Sequence, residues 1–142
     1  MKNEKVKVIF DTNVWISFLI GSSLLKIKQY ISDGRLLIIT TEQLLTEIKM
    51  VTSREKLKKY FPKESVKELI ELLETIAKKV EIKPTYFICR DPKDNFLLDL
   101  IDFSKADYLV TGDKDLIEHN PFKSAKIITP SEFEEELKSV LL

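Results

Sequence analysis

Apolar residues fall along the chain in two rhythms, short continuous runs and longer stretches at helical spacing. Val6, Val8, Ile9 and Phe10 form a short β-branched run that gives way to Asp11-Thr12-Asn13, which predicts a buried strand ending in a polar turn. Leu36–Thr40, Tyr108–Thr111 and Lys126–Thr129 read the same way, and Val80–Ile82 predicts a short further strand. Helical spacing fills the intervals. Val14–Ile20 predicts a short helix, and Ser22 or Ser23 caps a second that runs to about Ser32, where Asp33-Gly34 makes a turn. Thr40 and Thr41 are set to cap a helix over Glu42–Val51, with Leu44, Leu45, Ile48 and Val51 on one stripe. Ser53–Tyr60 predicts a solvated basic helix. Pro62 opens a longer one over Lys63–Lys79, with Val66, Leu69, Ile70, Leu73 and Ile76 inward. Phe87-Ile88-Cys89 is expected to pack ahead of Arg90. The next helix turns Phe96, Leu97, Leu100, Ile101 and Phe103 to the core, and the last, from Pro130-Ser131, turns Phe133, Leu137 and Val140 inward.

Strands that alternate with helices predict an α/β fold with a mainly parallel sheet covered on both faces. The length of 142 residues suits one domain, 1–142. With 44% hydrophobic and 32% charged residues the chain is globular rather than disordered. No apolar run is long enough to span a bilayer and no signal peptide is evident, so a cytoplasmic protein without a membrane partner is expected. A single cysteine, Cys89, excludes an internal disulfide and a cysteine-based zinc site, and the lone His119 argues against a histidine-rich metal centre. The 23 basic residues balance the 23 acidic ones, so nucleic-acid binding would need a local patch rather than an overall field.

Charge becomes informative through the positions of a few acids. Asp11 lies at the tip of the first strand, where open α/β sheets bind ligands. Asp113 follows the YLVT strand in the same way. Asp94 sits at the mouth of the Phe96 helix, and Glu47 falls on the core-facing edge of the helix after the second strand. Each has an ordinary explanation. Asp11 or Thr12 can cap a helix, Asp91 and Asp94 suit a helix start, and Glu47 can reach solvent or a lysine. The acidic run Glu132, Glu134–Glu136 suits a solvated first turn.

Taken together the four acids have a different meaning. Strand tips of a parallel sheet share one edge, so Asp11 and Asp113 converge there while Glu47 and Asp94 enter from flanking helices. Carboxylates gathered without histidine or cysteine repel one another unless a cation holds them, and an all-oxygen set suits Mg²⁺ or Mn²⁺. The usual chemistry of such a site is phosphoryl transfer. Thr12, Asn13 and Thr111 are placed to orient carboxylates or waters.

FDTN at 10–13, Glu47, DPKDN at 91–95 and TGDKDL at 111–116 resemble the motifs of PIN-domain ribonucleases, above all the VapC-like toxins of prokaryotic toxin–antitoxin pairs. The likeness runs from about Val6 to about Phe133. It implies a three-layer α/β/α sandwich with a five-stranded parallel sheet and a metal-dependent endoribonuclease that leaves a 5′-phosphate and a 3′-hydroxyl. On this likeness Asp11, Glu47, Asp94 and Asp113 are the catalytic and metal-holding acids. Asn13 and Thr111 match the family's polar supports, Asp115 matches a further acid, and Asp91 is a loop residue. The family also implies a homodimer and a small antitoxin partner.

RNA contact would then fall to Arg54, Lys56, Lys58 and Lys59, or to Arg90, Lys93 and Lys114 beside the acids. Trp15 and Phe18 are available for base stacking but more often belong to a core or a dimer contact. Two alternatives stand beside the toxin: a housekeeping RNA-processing or RNA-decay nuclease, and a non-catalytic, metal-stabilised protein-interaction module. A haloacid-dehalogenase-like phosphatase needs a second aspartate where Asn13 stands, and the acid pairs of a receiver domain are not evident.

Overall fold

A computed structural model describes residues 5–21 and 23–140. Five parallel strands form one sheet in the order β3-β2-β1-β4-β5: β1 Val6–Phe10, β2 Leu36–Thr40, β3 Lys78–Lys79, β4 Tyr108–Val110 and β5 Lys126–Ile128. Between β1 and β2 lie α1 (Thr12–Ile20) and α2 (Ser23–Ser32). Between β2 and β3 lie α3 (Glu42–Thr52), α4 (Glu55–Lys58) and α5 (Lys63–Glu71). α6 (Asn95–Ser104) leads to β4, α7 (Lys114–Ile117) to β5, and α8 (Pro130–Val140) follows. Right-handed crossovers then put α1–α5 over one face and α6 and α7 over the other, the three-layer sandwich expected. α8 joins the first layer, where Phe133 meets Phe10 edge-on at 5.6 Å and Lys26 of α2 reaches Glu134 at 3.4 Å.

Sequence explains this layering. Val8, Ile9 and Phe10 in the central strand are all buried, as a strand covered on both faces requires. The α3 stripe of Leu44, Leu45 and Ile48 and the α6 run from Phe96 to Ile101 fill the two layers. The turn before β2 uses Gly34 at φ 74°, a backbone state that side chains disfavour.

Several expectations need correction. The third strand is Lys78–Lys79, not Val80–Ile82, and the long helix ends early: α5 stops at Glu71 and passes into a π-helical turn over Leu72–Ile76. Ala77 is extended (φ −67°, ψ 150°), so the chain enters the sheet there, with Ile39 opposite Lys78 and Thr40 opposite Lys79. Backbone pairing places this edge strand, and its exposed lysines leave no apolar signal; charge on a short edge also discourages further strand pairing. Ile76 is therefore exposed rather than inward.

α4 is shorter than the predicted Ser53–Tyr60 helix. Phe87 and Ile88 do not pack into the core: both are exposed, and Cys89 alone of the three is buried. Phe103 is also largely exposed, because it lies past the stripe that faces the sheet. Thr41 stands at the N-cap of α3 without a side-chain cap bond. Ser22, and the side chains of Ser23 and Val140, lie outside the described residues.

Candidate active site

The chain winds outward from β1 through β2 to β3, then returns to the other side of β1 to lay down β4 and β5. In open α/β sheets the ligand crevice lies where the winding reverses, which here is beyond the carboxyl ends of β1 and β4. Asp11 follows β1 directly, and Thr111-Gly112-Asp113 follows β4. The two tips are tied together, since the Asp11 N–H donates to the Val110 carbonyl at 3.1 Å.

A chain of directed hydrogen bonds crosses the crevice. The Asp113 N–H donates to Thr111 Oγ1 at 3.0 Å, and the Thr111 hydroxyl donates to Asp11 Oδ2. Asp11 Oδ1 accepts from the Val14 N–H at 3.0 Å, so the predicted cap and the candidate site are the same carboxylate. Such a cap contributes about 1 kcal/mol to α1. Asp113 in turn caps α7, accepting from the Asp115 N–H at 2.9 Å.

Asp94 enters at the junction of a 3-10 turn, Pro92–Asp94, with α6. Asp91 caps that turn through the Lys93 N–H at 3.0 Å, the helix-start role its position suggested. Burial pushes the Asp94 carboxyl up to about 7, helped by a side-chain hydrogen bond to Asp113 and by the charges of Asp113, Asp91 and Asp11. Burial also raises Asp11, whose bonds from Thr111 and Val14 oppose the shift while the Asp113 charge adds to it. The same negative field reaches Cys89, whose thiol burial, with Asp94, Asp113, Asp115 and Asp91, pushes up to about 11. Asp11, Asp94 and Asp113 therefore interact as one acidic cluster.

Glu47 reaches this end of the sheet through Thr12. Half-buried on α3, it accepts from the Thr12 hydroxyl at 2.8 Å, which links it to the residue after Asp11. Asn13 is exposed in the first turn of α1. Arg90 is held by Glu118 at 3.3 Å and Asp115 at 3.7 Å, whereas Lys93 and Lys114 are exposed and make no ion pair among the described residues. Arg54, Lys56, Lys58 and Lys59 are exposed at α4, beyond the end of α3, with Lys58 against Glu55 at 3.8 Å and Lys59 over the Tyr60 ring. Trp15 is fully buried, with its ring edge-on to Phe10 at 5.0 Å, so it has no face to offer a base.

Three participants escaped the sequence reading. Asn95 is buried, and its Oδ1 accepts from the Cys89 N–H at 3.0 Å, fixing the segment ahead of Asp94. Asp99, only 3% exposed, accepts from the N–H groups of Thr85 and Tyr86 at 3.0 and 2.9 Å. Asp102 accepts from the Tyr86 hydroxyl at 2.6 Å, which lowers its own carboxyl and raises the phenol. The signal for Asp99 was present: an aspartate at a buried position of an apolar helix needs donors, and the strap at 80–88 supplies them.

Among the described residues no group of three or more Asp, Glu, His or Cys side chains is set out to hold a cation. The donor chemistry nevertheless fits one. The set is all carboxylate, and burial together with the neighbouring Asp113, Asp91 and Asp11 favours the protonated form of Asp94. A hard divalent cation can replace that proton and relieve the same repulsion.

A parallel sheet with an acidic crevice at its switch point is an architecture suited to phosphoryl-group chemistry. Comparison with known proteins defines it further. A PIN domain family model matches residues 7–115, and the chain belongs to the PIN domain family. It is also similar to the uncharacterized protein MJ1680 of Methanocaldococcus jannaschii, at 31% identity over 152 residues, covering 99% of this chain and 97% of that protein. PIN domains are generally nucleases, and PIN nucleases generally use divalent metals. No helix among the described residues is long and apolar enough to cross a membrane.

Proposed function

We propose that this chain is a metal-dependent endoribonuclease that hydrolyses RNA phosphodiester bonds, with Asp11, Asp94, Asp113 and Glu47 as its acidic residues. The reading rests chiefly on one observation: in a chain that matches the PIN domain, Asp11 and Asp113 at the ends of β1 and β4 are joined through Thr111, within electrostatic reach of Asp94, whose carboxyl is raised by burial and by these neighbouring charges. A carboxylate cluster under such repulsion is a cation-seeking site. When bound, Mg²⁺ or Mn²⁺ supplies an activated water and neutralises charge on the phosphate.

The protein's own groups prepare the site. Thr111 and the Val14 N–H hold both oxygens of Asp11 in one orientation. Asp11, Asp94 and Asp113 would hold the cation through carboxylate oxygens, whose negative charge it would neutralise. Thr12 orients Glu47, which completes the set directly or through water. Asn13 and Asp115 are supporting residues at the two helix starts. Lys93, Lys114, Arg54 and Lys56 are available to phosphates, whereas Arg90 must first leave Glu118 and Asp115, Lys58 must leave Glu55, and Lys59 the Tyr60 ring.

Cleavage of a labelled RNA panel with Mg²⁺, Mn²⁺ or EDTA tests this reading, comparing the native chain with Asp11→Asn and Asp94→Asn. Metal-dependent cutting lost in both variants is expected, with 5′-phosphate and 3′-hydroxyl ends. No cutting by folded, partner-free protein would favour a metal-stabilised interaction module instead.

Within the nuclease reading, the four-motif resemblance supports the toxin of a toxin–antitoxin pair, a cytoplasmic homodimer blocked by a small antitoxin. Induced expression should then arrest growth, and a short protein encoded beside it should restore growth. Arrest-free expression of an active enzyme would point to RNA processing or decay.

A further inference from the structure

We propose that Phe87 and Gln43 form a pocket for one unstacked base of single-stranded RNA, next to Asp94. This inference rests on the nuclease reading and names the form of substrate that the site accepts. The pocket has a volume of about 320 Å³, in the range that small ligands occupy, and is lined by Gln43, Ile82, Pro84, Phe87, Pro92 and Asn95 among others. Pro92 and Asn95 bracket Asp94 in the chain, so a base seated here belongs to a nucleotide close to the acidic cluster.

Phe87 is 73% exposed, an unusual state for a phenylalanine in a chain that buries Phe10, Phe61, Phe96 and Phe133. Its exposure is built in. The preceding N–H groups of Thr85 and Tyr86 are held by buried Asp99, and the Cys89 N–H that follows is held by buried Asn95. The Tyr86 ring, which also lines the pocket, is fixed edge-on to Phe122 at 4.9 Å, with its hydroxyl on Asp102. The strap is thus pinned on both sides of Phe87, leaving that ring in solvent at the pocket rim. A pinned aromatic face stacks on a base with little ordering cost.

Gln43 supplies the polar half. It is exposed in the first turn of α3, and its amide makes no hydrogen bond among the described residues, so donor and acceptor are both free for a base edge. Lys83 and Lys93, on either side of Phe87 in sequence, make no ion pair among the described residues and match a phosphate backbone in charge. An apolar protein partner would leave these groups without a role. A paired duplex cannot present a base face to the ring.

Binding by the full chain in EDTA, which prevents cleavage, provides the test. The probe is a labelled unstructured 12-nucleotide RNA and a set of copies each abasic at one position. Phe87→Ala should weaken binding to the intact RNA by about 5- to 150-fold, Phe87→Tyr should preserve it, and one abasic position should erase the difference between native and Phe87→Ala protein. Gln43→Ala should alter the preference among bases at that same position. An unchanged thermal melt of Phe87→Ala shows that it folds. Equal binding of every probe by native and Phe87→Ala protein, with native cleavage intact, overturns the pocket and leaves the nuclease standing. Neither binding nor metal-dependent cleavage by the native chain overturns both. Loss of self-association on Phe87→Ala with RNA affinity unchanged also overturns the pocket and makes Phe87 a protein contact.

Discussion

Replacing Asp94 by asparagine should abolish cleavage and yet stabilise the metal-free protein, and the pH dependence of that gain carries the reasoning. Asp94 moves from 3.8 in the unfolded chain to about 7 in the folded one. Between those values the folded state keeps a proton that the unfolded chain has released. Folding stability is therefore lost as pH rises from about 4 to about 7, and stays lost above it. At 1.36 kcal/mol per pH unit, a gap of about 3 units bounds the loss at roughly 4 kcal/mol. Asp94 is partly exposed, so solvent screening reduces this to about 1–2 kcal/mol. Asparagine carries no charge and can still donate to Asp113, as the protonated acid does. In EDTA, Asp94→Asn should melt within error of the native chain near pH 4.5 and about 3–8 °C above it at pH 8. Added Mn²⁺ should raise the melting temperature of the native protein at pH 8 and have little effect on the variant. Differential scanning calorimetry reads all four conditions. A variant that melts at or below the native chain at pH 8, or a difference that ignores pH, would refute the claim that repulsion within the acidic cluster shapes this site.

The hydroxyl of Thr111 bonds both to Asp11 and to the backbone of Asp113, so Thr111→Val should leave the Asp113 N–H without its acceptor and Asp11 Oδ2 without its donor. A loss of about 1–3 kcal/mol in urea unfolding is expected, together with most of the activity, while Thr111→Ser should restore both. A valine variant as stable as the native protein would show that the chain of bonds is dispensable. Asp99→Ala removes the acceptor for two strap N–H groups, and amide hydrogen exchange at Thr85 and Tyr86 should accelerate by at least about tenfold, with Asp99→Asn intermediate. Unchanged exchange at those two amides would mean that the strap is held by its packing instead.

Much of the candidate site's layout was legible because local rules of capping and strand ends fix where its acids lie. A strand that ends in a small polar residue and an acid is visible in a sequence, and so is the recurrence of that pattern at Asp11 and Asp113. Asp94 could be located because its helix start is marked by proline and polar residues. The pairing of roles at Asp11, cap and cluster member together, also follows from local geometry, since the residue that caps α1 is the one at the tip of β1.

By itself the sequence determined the four apolar-marked strands, the helical layers around them and the small set of acids at strand and helix ends, because hydrophobic periodicity and capping are short-range properties. Only the tertiary structure decided the rest. The third strand is two exposed lysines paired through their backbone to β2, with Lys79 also reaching Glu42 at 3.1 Å, so its position depends on β2 and α3 beside it. Phe87 looked like core and is exposed, because two buried side chains from α6, Asp99 and Asn95, fix the backbone on either side of it. The elevated Asp94 carboxyl arises first from burial and then from the charges of Asp113, Asp91 and Asp11, of which Asp113 and Asp11, 19 and 83 residues away in sequence, are brought together by the pairing of β1 with β4. Burial and charge proximity are properties of the assembled sheet, and no window of the chain contains them.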